Sequence, residues 1–298
     1  MSIPRVVQAF TDKSNMKKLK LAIIGHGFVG GAVDYGFNNS NVEKFIIDPK
    51  LGTDINDVPD DLDIAFICVP TPMGSDGSVD SSIVEEAVST LAFNAPKALI
   101  VVKSTVVPDI INRLYEQYSD RFVYNPEFLT EKAANEDFVN PIMHIFGGDE
   151  EPTEKLEKIY QRYSSCKPCP IHYMSAMDAS FVKYGINCFL MNKVLWFNQF
   201  FDVVNSAGAN YGAIINAIGT DKRVSPSHTL VPGFDGRRGA AGPCFAKDVP
   251  AFIKYSKTMD SPFTILEEAA RRNQDYRNQY SDRLDREKAQ NIRFNLEF

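Results

Sequence analysis

The sequence has no apolar run that approaches the roughly 20 residues needed to cross a bilayer. Residues 1–20 mix charged and polar side chains and contain no apolar core of the kind that a secretory signal peptide needs. Positive charge is not in excess either, because the formal net charge is −6, and this argues against a general nucleic-acid-binding surface. These absences predict an intracellular, cytoplasmic protein that works neither in a membrane nor on nucleic acid.

Cysteine is also scarce, since the five cysteines form an odd set without the spacing of a disulfide framework. Such a set suits a reducing compartment. Cys166 and Cys169 stand two residues apart with His172 close behind, but no second Cys or His pair follows at zinc-site spacing. Pro168 and Pro170 interrupt the helix that a redox Cys-x-x-Cys pair should begin. The segment is therefore predicted to be a turn before a strand, and no metal is expected.

What the sequence does contain is enough apolar material, 44% of 298 residues, for two domains without internal repeats. Residues 19–174 alternate short runs rich in Val, Ile and Phe with helix-length segments. Runs with little polar alternation are typical of strands buried on both faces. The alternation of β and α units predicts an α/β domain with a doubly wound parallel sheet. Its candidate strands are residues 19–25, 44–48, 63–70, 98–104, 122–124, 144–147 and 171–173, and its candidate helices are residues 28–37, 81–94, 108–118 and 153–163.

The pattern becomes all-α after residue 174. Apolar residues repeat at steps of three and four over residues 176–207 and cover more than one face, which predicts one long, largely buried helix. Further helices are predicted over residues 211–218, 247–255 and 262–286. The predicted organisation is a flexible leader or added edge element (residues 1–18), the α/β domain (19–174) and a helical domain (175–298).

A glycine-rich turn follows the first predicted strand and precedes a helix. Its sequence is Gly25-His26-Gly27-Phe28-Val29-Gly30, and Asp48 ends the next strand. Glycines at these positions allow a tight turn, close approach to a pyrophosphate and close packing of helix on strand, and the carboxylate suits the ribose hydroxyls of NAD. This context favours a Rossmann-like NAD site over a purely structural glycine turn.

Polar groups follow three more strands of the predicted sheet. Val69 and Thr71 end one strand, Ser104 and Thr105 end the next, and Glu127 follows a third. Because the carboxyl ends of parallel strands meet at one edge, these groups are placed for a shared crevice. Each could also serve only as a helix cap.

Two features of the helical domain carry reactive groups. Lys183 and Asn187 lie four residues apart on one face of the long helix, where they need partners unless that face is solvated. Cys244 ends a glycine-rich loop and enters a helix, where the N-terminus favours thiolate, with Lys247 adding positive charge nearby. From the chemistry alone, Cys244 could be a nucleophile or an inert buried thiol.

Taken together, six motifs resemble, in order and spacing, those of the UDP-glucose and GDP-mannose dehydrogenases. They are residues 25–30, 69–72, 103–106, 125–129, 183–187 and 239–248, and the resemblance extends from residue 19 to residue 286. It implies two successive hydride transfers to NAD, which turn the C6 alcohol of a nucleotide sugar into a carboxylate, UDP-glucose to UDP-glucuronate above all. Cys244 would hold the aldehyde as a thiohemiacetal and then as a thioester.

The resemblance assigns roles to individual positions. Positions matched to catalysis are Cys244, Lys183, Asn187, Glu127, Thr105 and Asp248. Positions matched to NAD binding are Gly25, Gly27, Phe28, Val29, Gly30, Asp48, Val69, Thr71, Ser104, Glu131 and Lys247. Positions matched to the sugar nucleotide are Phe128, Leu129, Arg223 and Gly239, with the loop over residues 234–239.

The sequence departs from the family in several places. Full-length members carry a third, nucleotide-binding domain beyond the point where this sequence stops, and the stretch between Asp48 and Cys68 is shorter than usual. The loop before Cys244 is longer, and its Arg237 and Arg238 could grip a diphosphate. Without a third domain to cover it, the long helix predicts a homodimer.

Two other functions stay open on the sequence. A β-hydroxyacid dehydrogenase would share the Lys–Asn pair of the long helix but would not need Cys244. A non-catalytic partner protein would bind NAD and oxidise no sugar.

Overall fold

The computed structural model describes residues 5–6 and 17–298. The chain forms two compact units, the first made of Met1–Thr71 and Ser81–Lys183 and the second of Pro72–Asp80 and Tyr184–Phe298. Most of the predicted leader, residues 1–4 and 7–16, lies outside the described residues. Arg5–Val6 within it form a short strand, β1.

The first unit is built on one eight-stranded sheet in the order β1-β8-β7-β6-β5-β4-β2-β3. After β1, its strands are β2 (Leu19–Ile24), β3 (Val42–Ile47), β4 (Ile64–Ile67), β5 (Leu99–Val102), β6 (Phe122–Tyr124), β7 (His144–Gly147) and β8 (Pro170–Met174). The pairings β1–β8 and β6–β7 are antiparallel, and the others are parallel. The predicted Rossmann-like fold is confirmed, with the two antiparallel pairings added toward one edge.

Helices cover both faces of this sheet. They are α1 (Phe28–Gly36), α2 (Ser82–Asn94), α3 (Pro108–Tyr118), α4 (Ala134–Val139) and α5 (Glu150–Tyr163). Alternate side chains of β2 enter opposite cores: Ala22 and Ile24 pack in one cluster, while Leu21 and Ile23 pack in the other. This two-sided burial is why the strands are apolar throughout. The short helix α4 was not predicted.

The second unit is helical. The long helix α6 (Ala176–Ser206) begins in the first unit and continues into the second, followed by α7 (Tyr211–Gly219), α8 (Pro243–Thr258), α9 (Thr264–Arg277) and α10 (Asp285–Ala289). Buried side chains of α6, α8 and α9 form its main core, among them Met191, Val249, Ile253 and Leu266.

Two helix boundaries differ from the prediction. Helix α8 begins at Pro243 rather than residue 247, because proline is favourable in the first turn of a helix. One continuous helix over residues 262–286 is wrong, since α9 ends at Arg277 and α10 begins at Asp285. The chain turns between them, and Arg277 and Glu287 form a buried ion pair.

The long helix has an exposed apolar face. Phe189, Trp196 and Val203, each seven residues from the next, are 66%, 55% and 67% exposed. The sequence pattern predicted burial over most of this helix, but none of the described residues covers these three side chains. Across the residues that the structure describes, no helix combines the length and apolar character required to span a bilayer.

Candidate functional site

The glycine-rich turn between β2 and α1 is shaped by close backbone contacts. Gly25 has a φ of +88°, and a Cβ there would lie 2.8 Å from the carbonyl oxygen of Cys68. A Cβ on Gly30 would lie 1.9 Å from the carbonyl oxygen of Gly25. A Cβ on Gly27 would meet nothing within 4 Å. Gly25 and Gly30 are thus required by the turn itself, whereas Gly27 leaves open space at the N-terminus of α1, which suits a pyrophosphate.

Asp48 ties this turn to the end of β3. Its Oδ2 accepts a hydrogen bond from the backbone N–H of His26 at 2.8 Å, and its Oδ1 accepts one from the N–H of Lys50 at 2.9 Å. A carboxylate has about four lone-pair directions, so Asp48 can still accept hydrogen bonds from ribose hydroxyls. The residues around this turn therefore fit NAD.

The loops after β4 and β5 are joined by a side chain. Ser104 Oγ donates to the carbonyl oxygen of Val69 at 2.7 Å. Thr71 and Thr105 are 3% and 7% exposed. The structure thus brings Val69 and Ser104 together at the carboxyl edge of the sheet, as the sequence predicted.

Glu127 and Lys183 form a buried ion pair, with Lys183 Nζ 3.0 Å from Glu127 Oε1 and 2.5 Å from the Glu127 carbonyl oxygen. The other carboxylate oxygen of Glu127 accepts from the N–H of Leu129 at 2.7 Å, and Lys183 Nζ lies 5.3 Å from the ring centre of Phe128. Burial raises the pKa of Glu127, but the Lys183 ammonium and the Leu129 N–H outweigh it and hold this pKa below its usual value. Glu127 is therefore ionised at neutral pH.

A second buried lysine anchors the same loop. Lys103 Nζ donates to the backbone oxygen of Asn125 at 3.1 Å and to its Oδ1 at 3.0 Å, and Tyr160 also donates to Oδ1 at 2.9 Å. Lys103 is 3% exposed, and burial lowers its pKa to about 8. The sequence places Lys103 in a motif but does not reveal this anchoring role, because Asn125 becomes its neighbour only when β5 and β6 pair.

In the second unit, Asp248 joins two predicted residues. Its Oδ2 accepts from Asn187 Nδ2 at 2.6 Å, and its Oδ1 accepts from Lys247 Nζ at 2.6 Å. Asp248 is 0% exposed. Cys244 is the second residue of α8 and is half-buried. Asn187, Lys247 and Asp248 thus form one hydrogen-bonded group on two helices.

The loop before Cys244 is held by side chains that the sequence reading missed. The N–H groups of Gly239, Ala240 and Gly242 donate to the side chains of Asn198, Asn273 and Glu287, respectively. Asn198 could have been identified, because it lies three helical turns after Asn187 and is likewise polar in an apolar helix. Nothing in the local sequence distinguishes Glu287.

Several predicted binding groups are engaged elsewhere or exposed. The side chain of Arg223 is 89% exposed and pairs with Asp221, and Glu131 is exposed. The guanidinium groups of Arg237 and Arg238 bind Asp282 and Asp202, at 2.6 and 2.9 Å. The hypothesis that these two arginines grip a diphosphate is therefore not supported by their geometry.

The Cys166–Cys169 segment is irregular and leads directly into a strand, rather than forming the helix of a redox pair. Cys166 Sγ donates to the carbonyl oxygen of Phe138 at 3.1 Å, and β8 begins at Pro170. Burial raises the pKa of both thiols to about 11. Within residues 17–298, no group of three or more His, Cys, Asp or Glu side chains is arranged to hold a metal ion.

Most of the chain matches one family of known proteins. Residues 49–164 match the NAD-binding domain of the UDP-glucose/GDP-mannose dehydrogenase family, and residues 177–275 match its central domain. The UDP-glucose 6-dehydrogenase TuaD of Bacillus subtilis is 27% identical over 94% of this chain and 60% of its own length. The UDP-glucose 6-dehydrogenase of Rickettsia bellii is 34% identical over 70% of this chain and 49% of its own length.

A solved structure from the same family has a similar fold. A UDP-glucose dehydrogenase from the archaeon Pyrobaculum islandicum superposes with a TM-score of 0.75 at 26% identity, covering 89% of this chain and 70% of that one. The chain spans about half to three fifths of the length of the two curated relatives.

Proposed function

The chain belongs to the UDP-glucose/GDP-mannose dehydrogenase family, and we propose that it oxidises the C6 alcohol of a nucleotide sugar to the carboxylate, with UDP-glucose as the first candidate. Two molecules of NAD, bound in turn, would each accept one hydride. One observation carries the proposal: Cys244 stands half-buried at the second residue of α8, behind a glycine-rich loop. The other four cysteines are poor nucleophiles, because burial raises the pKa of each thiol.

Cys244 accounts for a four-electron oxidation in one protein. Its sulfur adds to the carbonyl carbon of the aldehyde formed first, a C–S bond forms and the carbonyl oxygen takes a proton. Oxidation of this thiohemiacetal leaves a thioester. Water then cleaves the C–S bond, giving the carboxylate and the free thiol. The aldehyde stays attached to the protein between the two oxidations.

The buried charges support this chemistry. Lys183 is a buried cation, the kind of group that stabilises a developing oxyanion in a site without water. Glu127 holds the ammonium in place, with its Oε1 3.0 Å from Lys183 Nζ. Asn187 supplies a second donor, while Thr105 and Asp248 are proposed to order water and handle protons.

The remaining predicted residues are proposed to bind ligands. For NAD these are the turn residues Gly25, Gly27, Phe28, Val29 and Gly30, then Asp48, Val69, Thr71, Ser104, Glu131 and Lys247. For the sugar nucleotide they are Phe128, Leu129, Arg223 and Gly239.

The test is NADH formation, followed by absorbance, with a panel of UDP- and GDP-sugars. We expect two NADH per molecule of substrate for the wild type, and at least a hundredfold slower overall oxidation for Cys244→Ser, because a hydroxyl forms the covalent adduct far less readily. Cys166→Ser is the matched control, since it changes a thiol outside the loop. It should behave as the wild type does.

Other results would identify the alternatives. One NADH per substrate, unaffected by Cys244→Ser, would indicate a hydroxyacid-type dehydrogenase. NAD binding without oxidation of any sugar would indicate a non-catalytic binding protein.

A further inference from the structure

Three buried side chains hold consecutive parts of the loop that leads to Cys244. Asn198 Oδ1 accepts from Gly239 N at 3.1 Å, Asn273 Oδ1 from Ala240 N at 2.7 Å, and Glu287 Oε1 from Gly242 N at 3.3 Å. Asn198 and Asn273 are each 2% exposed, and Glu287 is 0% exposed. They come from α6, α9 and α10, so the loop is fixed from three directions within the second unit.

Glu287 differs from the other two because it carries a charge. Its partner is Arg277, 2% exposed, whose NH2 lies 3.3 Å from Glu287 Oε1. Glu287 Oε2 accepts from the N–H of Leu284 at 3.0 Å. Burying an ion pair costs desolvation energy that the attraction between the charges often fails to offset. The pair is therefore weak evidence for added stability, and its contacts with the loop suggest the role of fixing one conformation.

The contact with Gly242 acts at the entry to α8. Gly242 is the N-cap of the helix, with a φ of +78° and no side chain to cap it. Pro243 and Cys244 are the first two helical residues. The position of the Gly242 N–H therefore sets the direction in which the chain enters α8, two residues before the thiol.

The same guanidinium also holds the loop that resembles the family's substrate loop. Arg277 NH1 lies 2.7 Å from Oδ2 of Asp235, which falls within residues 234–239. One buried arginine thus connects the segment before the thiol, through Glu287, with that loop.

We propose that Glu287, held by Arg277, is a positioning residue for Cys244. The inference rests on the proposed function, since it presumes that Cys244 reacts. Glu287 acts on the reaction through the Gly242 N–H and touches neither substrate nor cofactor in this role.

The first test compares Glu287→Ala and Glu287→Gln with the control Asp285→Asn, which removes a carboxylate from the same helix where the side chain is 99% exposed. We expect Glu287→Ala to lower kcat about tenfold with the KM for NAD within about twofold, because small misplacements of reacting groups reduce rates steeply. Glu287→Gln should recover part of this loss, since its amide oxygen can still accept from Gly242. Asp285→Asn should match the wild type.

A second readout needs no sugar. The rate of Cys244 alkylation by iodoacetamide is measured across pH by mass spectrometry of the intact protein and its peptides. We expect Glu287→Ala to change this rate at least about threefold and Asp285→Asn to leave it unchanged, because reactivity depends on the surroundings of the thiol. If the wild type oxidises no nucleotide sugar, the proposed function fails, and alkylation still tests whether Glu287 positions Cys244.

Two outcomes would overturn the inference. One is a kcat and an alkylation rate within about twofold of the wild type in Glu287→Ala. The other is that Glu287→Ala and Glu287→Gln lose the same amount of NAD affinity and the same amount of free energy of unfolding. That result would assign the pair to stability alone.

Discussion

Lys103 follows β5, and its buried ammonium donates hydrogen bonds to two oxygens of Asn125. Burial lowers its pKa to about 8, against a usual 10.5. Below pH 8 the lysine is protonated in both the folded and the unfolded chain. Between pH 8 and 10.5 the unfolded chain binds a proton that the folded chain does not, so this residue makes the free energy of unfolding rise with pH in that window.

Replacing Lys103 by Met should remove that rise. The wild type should gain about 3 kcal/mol relative to Lys103→Met between pH 8 and 10.5, at roughly 1.4 kcal/mol per pH unit. Urea unfolding at several pH values measures the difference. Lys97→Met, at an exposed position, is the control. Parallel stability curves for wild type and Lys103→Met would mean that the buried lysine titrates normally.

At the residue scale, the sequence identified those functional side chains that belong to a known motif or that stand out from their local sequence. Lys183 and Asn187 stood out because they are polar residues on an apolar helix, and both have buried carboxylate partners. Glu127 was matched to catalysis, but the sequence did not show that it is the partner of Lys183. The sequence did not reveal the role of Glu287, because two of its partners, Arg277 and Gly242, are distant in sequence and meet it only in the folded chain.

The turn between β2 and α1 shows how an element can depend on single atoms. Gly30→Ala would place a Cβ 1.9 Å from a backbone oxygen that cannot move without opening the turn. We expect it to lower the free energy of unfolding by on the order of 3 kcal/mol, as overpacking against backbone does. Thermal unfolding measures the loss, and a variant as stable as the wild type would contradict the packing argument.

Gly27→Ala separates binding from folding in the same turn. Its Cβ would meet no atom within 4 Å, so stability should stay near that of the wild type. The added methyl group would occupy the space assigned to the pyrophosphate, so NAD affinity should fall at least about tenfold. Titration with NADH, followed by fluorescence, tests this. Unchanged affinity would place the pyrophosphate elsewhere.

Among the elements, strands were predicted well because burial on both faces leaves a continuous apolar run, as in β4 and β5. Helix ends were predicted less well. Helix α9 ends at Arg277, which pairs with Glu287 after the chain turns, and a periodic pattern does not contain such a contact. The six residues of α4 are too few to show a period.

For the molecule as a whole, the exposed face of α6 supports the predicted homodimer. Phe189, Trp196 and Val203 are exposed at seven-residue steps along one face of the helix, and large apolar side chains grouped on one face can mark an interaction site. We expect Phe189→Glu with Trp196→Glu to give a monomer by light scattering, because two charges would have to be buried at the contact. Phe93→Glu, at an exposed site on α2, should leave the mass unchanged. A wild type of monomer mass would refute the dimer.

Asp48 links the choice of cofactor to the integrity of the fold. The carboxylate proposed to select NAD also accepts hydrogen bonds from the backbone N–H groups of His26 and Lys50. Asp48→Ser, which removes the negative charge that disfavours a 2′-phosphate, would lose at least one of the two hydrogen bonds, because serine has a single side-chain oxygen. Unfolding and cofactor titrations of this variant would measure both effects. Evolution toward NADP would therefore have to pass through a less stable protein, unless a second substitution first reinforced the turn.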